Sequence, residues 1–424
     1  MVGHMLSRTF PRWIAMLLLC AVAVGCRARP TTTHDCSGIV TTQAINPLSV
    51  LESGHSQGVT TNFEGLDSNS NQDPMSFFGE SLTVDLKDAL CLASRNSKLA
   101  NLIEKERKAV CCEAGCIKCV EQFLKSQAQE QRIKSAADAA ELLIRLSGTQ
   151  LQSEILNQSL AKVADLQETV DAAHENGLAT ADAQSELDKQ LIELERKQIE
   201  IDSGVFEINA KLNLLLGLDS CYPRRIAPEY QFVAQAIELN TQQLIIQALS
   251  NRPELNSLSG INACSGEKEC LAILSSIDRR IGLAIPKPVR RLLLRERREE
   301  QEKCGCQIRQ QQIDELKILR EEMIRQDVLS QTKEVHRQQQ LLKLENEYLL
   351  RLQSEAELIE SAAVLDAQDS FVDSIKNFAQ QQIVKSQRAT ALVEFEVAKL
   401  RLDEATGSLP TQCESVAAGS VRSY

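Results

Sequence analysis

Fourteen cysteines in 424 residues are the side chains of this sequence best equipped for chemistry. Eight of them fall in two stretches: Cys111, Cys112, Cys116 and Cys119, then Cys264, Cys270, Cys304 and Cys306. Cys116-x-x-Cys119 together with Cys304-x-Cys306 has the spacing of a metal or redox site, since closely spaced thiolates converge on one ion or exchange one disulfide. The competing readings are disulfides that tie short loops, and free thiols. Disulfides are favoured over metal, because an exported chain meets an oxidising space and no histidine lies nearby. The five histidines, His4, His34, His55, His174 and His336, are too scattered for a metal site or a catalytic base. No nucleophile elbow, phosphate-binding Gly-Lys-Ser/Thr loop or paired zinc-ligand helix motif occurs. Neither catalysis nor a cofactor is expected.

The N-terminus sets the compartment for these thiols. Arg8 and Arg12 precede an apolar run from Trp13 to Val24 that Gly25 and Cys26 close. The run is too short to span a bilayer and reads as an export signal over residues 1–25. Ala23-Val24-Gly25-Cys26 resembles a bacterial lipobox, in which the cysteine is acylated and becomes the first residue, so Cys26 is the expected lipid anchor. Ordinary cleavage near Ala21 or Ala23 is the alternative. Arg27, rather than Asp, follows Cys26, which in the lipoprotein pattern points to the outer membrane. Residues 26–77, rich in Ser, Thr, Asn, Gln and Gly without periodicity, read as a disordered tether behind the anchor. Losing Cys20 with the signal and committing Cys26 to lipid leaves twelve cysteines.

Composition excludes some partners. Fifty-eight acidic against 47 basic side chains, a net charge of −11, argue against nucleic acid, whose backbone needs a concentrated positive field. Four Tyr and one Trp argue against a membrane β-barrel with aromatic girdles. A 43% apolar content is enough to bury a core, and the length suits two or three domains.

The elements that position all this are long helices. The ten prolines, at 11, 30, 47, 74, 223, 228, 253, 286, 288 and 410, leave residues 75–222 and 289–409 free of helix breakers. Leu187, Leu194, Ile201, Ile208 and Leu215 recur every seven residues, with Leu191, Val205 and Leu212 at the complementary position. This is a coiled-coil seam. Leu156, Val163 and Val170 keep the same step, with Leu166 and Ala173 alongside, and Gly177 lies between the two runs where a helical hairpin would turn. In the second block Val328, Val335, Leu342, Leu349 and Ala356 repeat the step, with a turn expected near Leu365–Ser370. Arms of about 35 to 50 residues would be roughly 50 to 75 Å long. The segment from Leu92 to Leu99 aligns with that from Ala248 to Leu255, each preceding a helical block that closes on a glycine, Gly217 or Gly407. Two tandem helical hairpins result: 78–222 and 241–409, with a linker at 223–240 and a disordered tail at 410–424.

From about 80 to 410 the sequence resembles the outer-membrane efflux proteins, the TolC-like outer membrane factors. Family repeats open on Ala-Leu…Asn-Pro-Glu-Leu, matched by Ala248, Leu249, Asn251, Pro253, Glu254 and Leu255 with Arg252 inserted, and close on Leu-Leu-Gly, matched by Leu215, Leu216 and Gly217. The resemblance implies an all-α chain of two coiled-coil hairpins, a homo-oligomer of three, and a conduit that meets a periplasmic adaptor and an inner-membrane pump. It also implies adaptor-docking tips at Gly177, Leu178 and Asp182, and around Ser370 to Asp373, where Ala367 replaces the family glycine. Family members carry two membrane strands per repeat, each of about 9–11 residues. Here the first such place is Cys111 to Cys119, too short for a hairpin, and the second is flanked by Arg279, Arg280, Lys287, Arg290 and Arg291. A relative with little or no β-barrel, held by acyl chains, is expected. The basic stretch from Arg279 to Arg298 either lies on anionic head groups or starts a solvated helix. A non-conducting envelope scaffold is the alternative to the conduit.

Overall fold

The computed structural model describes residues 81–114, 118–176, 181–218, 223–233, 235, 237–262, 298–362 and 367–409. Strand β1 (Ser81–Asp85) leads into α1 (Leu86–Asn96) and α2 (Lys98–Ala114), and the hairpin of α3 (Lys118–Glu175) with α4 (Ala181–Leu216) follows. Strand β2 (Arg225–Glu229) then precedes α5 (Thr241–Asn251), α6 (Pro253–Asn262) and a second hairpin of α7 (Arg298–Ala362) with α8 (Ala367–Thr406).

Local chemistry explains the boundaries. Asp85 caps α1 by accepting from the Asp88 amide at 2.6 Å, and Asn240 caps α5 by accepting from the Gln243 amide at 3.2 Å. Both returning helices end in the same Schellman turn. Gly217 (φ 71°) and Gly407 (φ 67°) take the left-handed conformation. The amides of Leu218 and Ser408 reach back to the carbonyls of Asn213 and Asp403, both at 2.9 Å. Each glycine sits against an asparagine that ends a short helix: a Cβ on Gly217 would meet Asn96 Cβ at 2.7 Å, and one on Gly407 would meet Asn251 Cβ at 3.0 Å. The duplication therefore pairs Asn96 with Asn251 and Ala93 with Ala248, both alanines fully buried. That register is one residue away from the sequence alignment, and it makes Ser97 and Arg252 equivalent, the single residue between the two short helices in each copy.

The heptad seams are buried as their spacing requires. Leu156, Val163 and Val170 of α3 pack with Ala183, Leu187 and Leu194 of α4 and Ile375 of α8. Val328, Val335 and Leu342 are buried on α7, but further along Leu352 is buried while Leu349 and Ala356 are only half-buried. A straight helix drifts about 20° per heptad, so a strict seven-residue step leaves the interface.

Three expectations need correction. The outgoing helices are longer than foreseen, 58 residues for α3 and 65 for α7, or about 87 and 97 Å. Neither has a breaker where its short neighbours end, so each runs past the junction unbroken. Helix α8 already begins at Ala367, within the turn expected near Leu365–Ser370. Lastly, β1 and β2 form a parallel two-stranded sheet, with Leu82 paired to Ile226 and Val84 to Pro228, in a fold otherwise all helical among the described residues. Leu82, Val84 and Ile226 bury their side chains with Ala89, Ala93, Leu143 and Leu212. Pro228 is tolerated because β2 is an edge strand.

Candidate functional site

The four long helices pack in the order α4, α3, α8, α7, with α8 also touching α4. The joint between the two hairpins is thus α3 against α8, and α4 and α7 are the edges. At the joint, Ala136, Ala137, Ala140 and Ile144 of α3 meet Val393, Val397 and Leu400 of α8. Small residues on α3 let the helix backbones approach. Gly148 takes this to its limit, since a Cβ there would collide with Val393 Cγ2.

Beside the alanines runs a ladder of charge. Arg401 on α8 donates from Nε to Glu141 at 2.9 Å, from Nη2 to Asp138 at 3.1 Å and from Nη1 to Glu404 at 2.6 Å. Arg145 on α3 donates to Glu141 at 2.9 Å and to Glu394 on α8 at 2.6 Å. Burial pushes the Glu141 carboxyl up, but the hydrogen bonds from Arg145 and Arg401 outweigh it and hold the carboxyl below its ordinary 4.5. A depressed carboxyl stabilises the fold above its unfolded value, and that stability is lost as pH falls through the folded value. Glu141→Gln is therefore expected to cost about 1.5 kcal/mol at pH 7, read as a lower melting temperature. The deficit should vanish in strong acid, where the wild-type Glu141 is protonated and as neutral as the glutamine that replaces it; an undiminished deficit there would refute the assignment.

Two buried amides that sequence inspection passed over hold β2 in place. Asn209 Oδ1 accepts from the Ile226 amide at 2.7 Å, and Asn213 both accepts from the Arg224 amide at 2.9 Å and donates to its carbonyl at 2.8 Å. Their only sequence signal is polarity within an apolar helix end, Asn209 and Asn213 beside Leu212.

The edges carry the most consequential surface. On α4 the exposed Ile192, Ile199 and Leu214 lie opposite the hairpin seam, at 66%, 70% and 59% exposure. On α7 the exposed Leu341 and Leu344 likewise lie away from the buried Val335 and Leu342, whereas Tyr348 turns its hydroxyl to accept from Gln380 of α8. Each edge helix thus has two apolar faces, one inside the chain and one outside it. The seven-residue step from Ile192 to Ile199 was legible beside the main seam.

The foreseen tip residues divide. Asp182 is exposed in the first turn of α4, where a carboxylate suits the helix N-terminus, and Asp373 is exposed on α8. Gly177 and Leu178 lie outside the described residues, as does Cys26. Of the eight candidate disulfide cysteines, Cys111 and Cys112 fall on α2, Cys119 on α3, and Cys304 and Cys306 on α7. Cys116, Cys264 and Cys270 lie outside the described residues. The one cysteine whose side chain is described, Cys91 on α1, is disulfide-bonded; it stands at a repeat boundary and was not among the eight. Among the described residues no cluster of His, Cys, Asp or Glu could hold a metal, and no helix is long and apolar enough to cross a membrane. Helix α2 continues to Ala114 and α3 starts at Lys118, so the first repeat has no room for a membrane hairpin between them.

No protein-family model and no curated protein matches the sequence. Solved structures do match in fold. The Campylobacter jejuni CmeC outer membrane channel aligns over 85% of this chain and 94% of its own, at 10% identity and a TM-score of 0.53. A membrane protein from Pseudomonas aeruginosa aligns over 76% and 93%, at 12% identity and 0.54. The outer membrane protein VceC from Vibrio cholerae aligns over 74% and 76%, at 11% and 0.52. The chain has the TolC-like helical fold of these membrane proteins.

Proposed function

We propose that this chain, which has the helical fold of outer membrane channels, associates with copies of itself into the periplasmic conduit of an efflux or secretion system. The supporting observation is the pair of apolar outer faces on the edge helices α4 and α7. One edge of a subunit meets the opposite edge of the next, a head-to-tail contact that closes into a ring when the rotation allows. Three copies is the number the family resemblance implies. The tips around Gly177, Leu178, Asp182 and Asp373 then present the docking surface for a periplasmic adaptor that leads to an inner-membrane pump. Cys26, acylated, holds the assembly to the periplasmic face of the outer membrane. Disulfides among Cys111, Cys112, Cys116, Cys119, Cys264, Cys270, Cys304 and Cys306 tie the loops where other members carry strands.

A second reading, a non-conducting envelope scaffold, is favoured by the three-residue gap between α2 and α3, which leaves the first repeat without membrane strands. Electron microscopy of the purified lipidated protein, with planar-bilayer recording, separates the two. Hollow particles with a water-filled lumen support the conduit; solid rods that stay silent in bilayers overturn it.

A further inference from the structure

Away from the joint and the edge faces, α2, α3, α6 and α7 line an open cavity of about 520 Å³. Its walls are apolar: Phe123 of α3, Leu258 of α6 and Leu319 and Met323 of α7. Leu319 and Met323 form an open rim, 56% and 48% exposed. Three charged groups interrupt these walls, Glu130 of α3, Glu254 of α6 and Arg320 of α7.

The charges do not balance. Arg320 Nη2 lies 2.8 Å from Glu254 Oε1 and 3.9 Å from Glu130 Oε1, so one guanidinium serves two carboxylates. Arg252 also reaches Glu254 Oε1, at 3.2 Å, but its other terminal nitrogen is engaged by Asp327 at 2.9 Å. Three carboxylates therefore share two guanidinium groups. Glu254 is only 7% exposed, and its Oε2 has no hydrogen-bond partner among the described residues. A buried carboxylate oxygen without a donor is costly, and positive charge in the adjoining cavity lowers that cost through the field rather than by direct contact. Burial, and then the neighbouring Glu254, push the Glu130 carboxyl above its ordinary value, more than Arg320, Arg252 and the hydrogen bond from Gln127 pull it down.

We propose that this cavity binds a small organic cation with an apolar body, an arylalkylammonium in chemical class, its nitrogen toward Glu130 and Glu254 and its ring against Phe123 and Met323. The volume suits a ligand of one or two rings. An aromatic wall and a thioether adapt to such a body, and Phe123 adds attraction for a positive charge. Inorganic ions are disfavoured because apolar walls cannot replace their hydration shell. Anions are disfavoured because the two carboxylates repel them. This inference concerns ligand recognition on the wall of the chain and does not require the conduit.

The test is fluorescence anisotropy on the purified full chain with two probes of the same body and opposite charge, 1-naphthylmethylammonium and 1-naphthylacetate. The cation is expected to bind at least about tenfold more tightly than the anion. Glu130→Gln, whose only ion pair among the described residues is the long one to Arg320, should weaken the cation about tenfold while leaving melting unchanged. Leu319→Lys, a rim change that does not touch the core, should weaken it as well. Equal affinity for the two probes, or cation binding indifferent to both variants, overturns the proposal. So does a wild-type protein that binds neither probe, the result expected if a second copy covers the cavity.

Discussion

Ile199→Asp is expected to convert the assembled protein into single chains. Ile199 is 70% exposed on α4, so the change leaves the fold of one chain intact. Burying an isoleucine at a contact is worth about 2–3 kcal/mol, and an unpaired carboxylate in its place costs several more. Leu344→Asp, 59% exposed on the other edge helix α7, should do the same. Mixing the two variants gives the sharper result. Each retains one good edge, so one chain of each kind should form a single two-chain complex and no larger species, by mass photometry. If α4 instead met α4, Leu344→Asp alone would still pair with itself and the mixture would gain nothing. That outcome would remove the head-to-tail ring.

Gly148→Ala should loosen the joint between the hairpins. The new methyl collides with Val393 Cγ2, a contact that must push α3 from α8 or force a rotamer change. Overpacking of this kind costs about 1–3 kcal/mol, and the helix-propensity gain of about 0.5–1 kcal/mol offsets only part of it. Val393→Ala alone loses buried methyls and should destabilise as well. The double variant is expected to melt above Gly148→Ala, because alanine at 393 removes the atom that clashes. Additive losses would mean that the helices do not touch there.

The second seam was visible once the first was known, because Ile192 and Ile199 repeat its step on the opposite face of α4. A helix buries its residues by angle around one axis, so spacing alone tells which positions share a face. The Schellman glycines were legible for a similar reason: Gly217 and Gly407 each follow an unbroken run, and only a residue without a side chain takes positive φ there cheaply. The sheet was not legible. Five-residue strands such as β1 and β2 pair across about 140 residues of helix, and a segment as short as Leu82-Thr83-Val84 carries no period distinct from chance. The register of the duplication was misread by one residue in the sequence because few side chains match between the copies; in the structure Arg252 stands where Ser97 does, its guanidinium anchored to Glu254 and Asp327.

By itself the sequence determined that the chain folds into two long helical hairpins, where their inner seams lie and which glycines end them. These depend on neighbours three to seven residues apart. Only the tertiary structure decided that α3 joins α8, that α4 and α7 are left as edges with spare apolar faces, and that Glu130, Glu254 and Arg320 meet around one cavity. Those contacts join residues more than 60 positions apart, and the charge on each partner says nothing about which of many others it will meet.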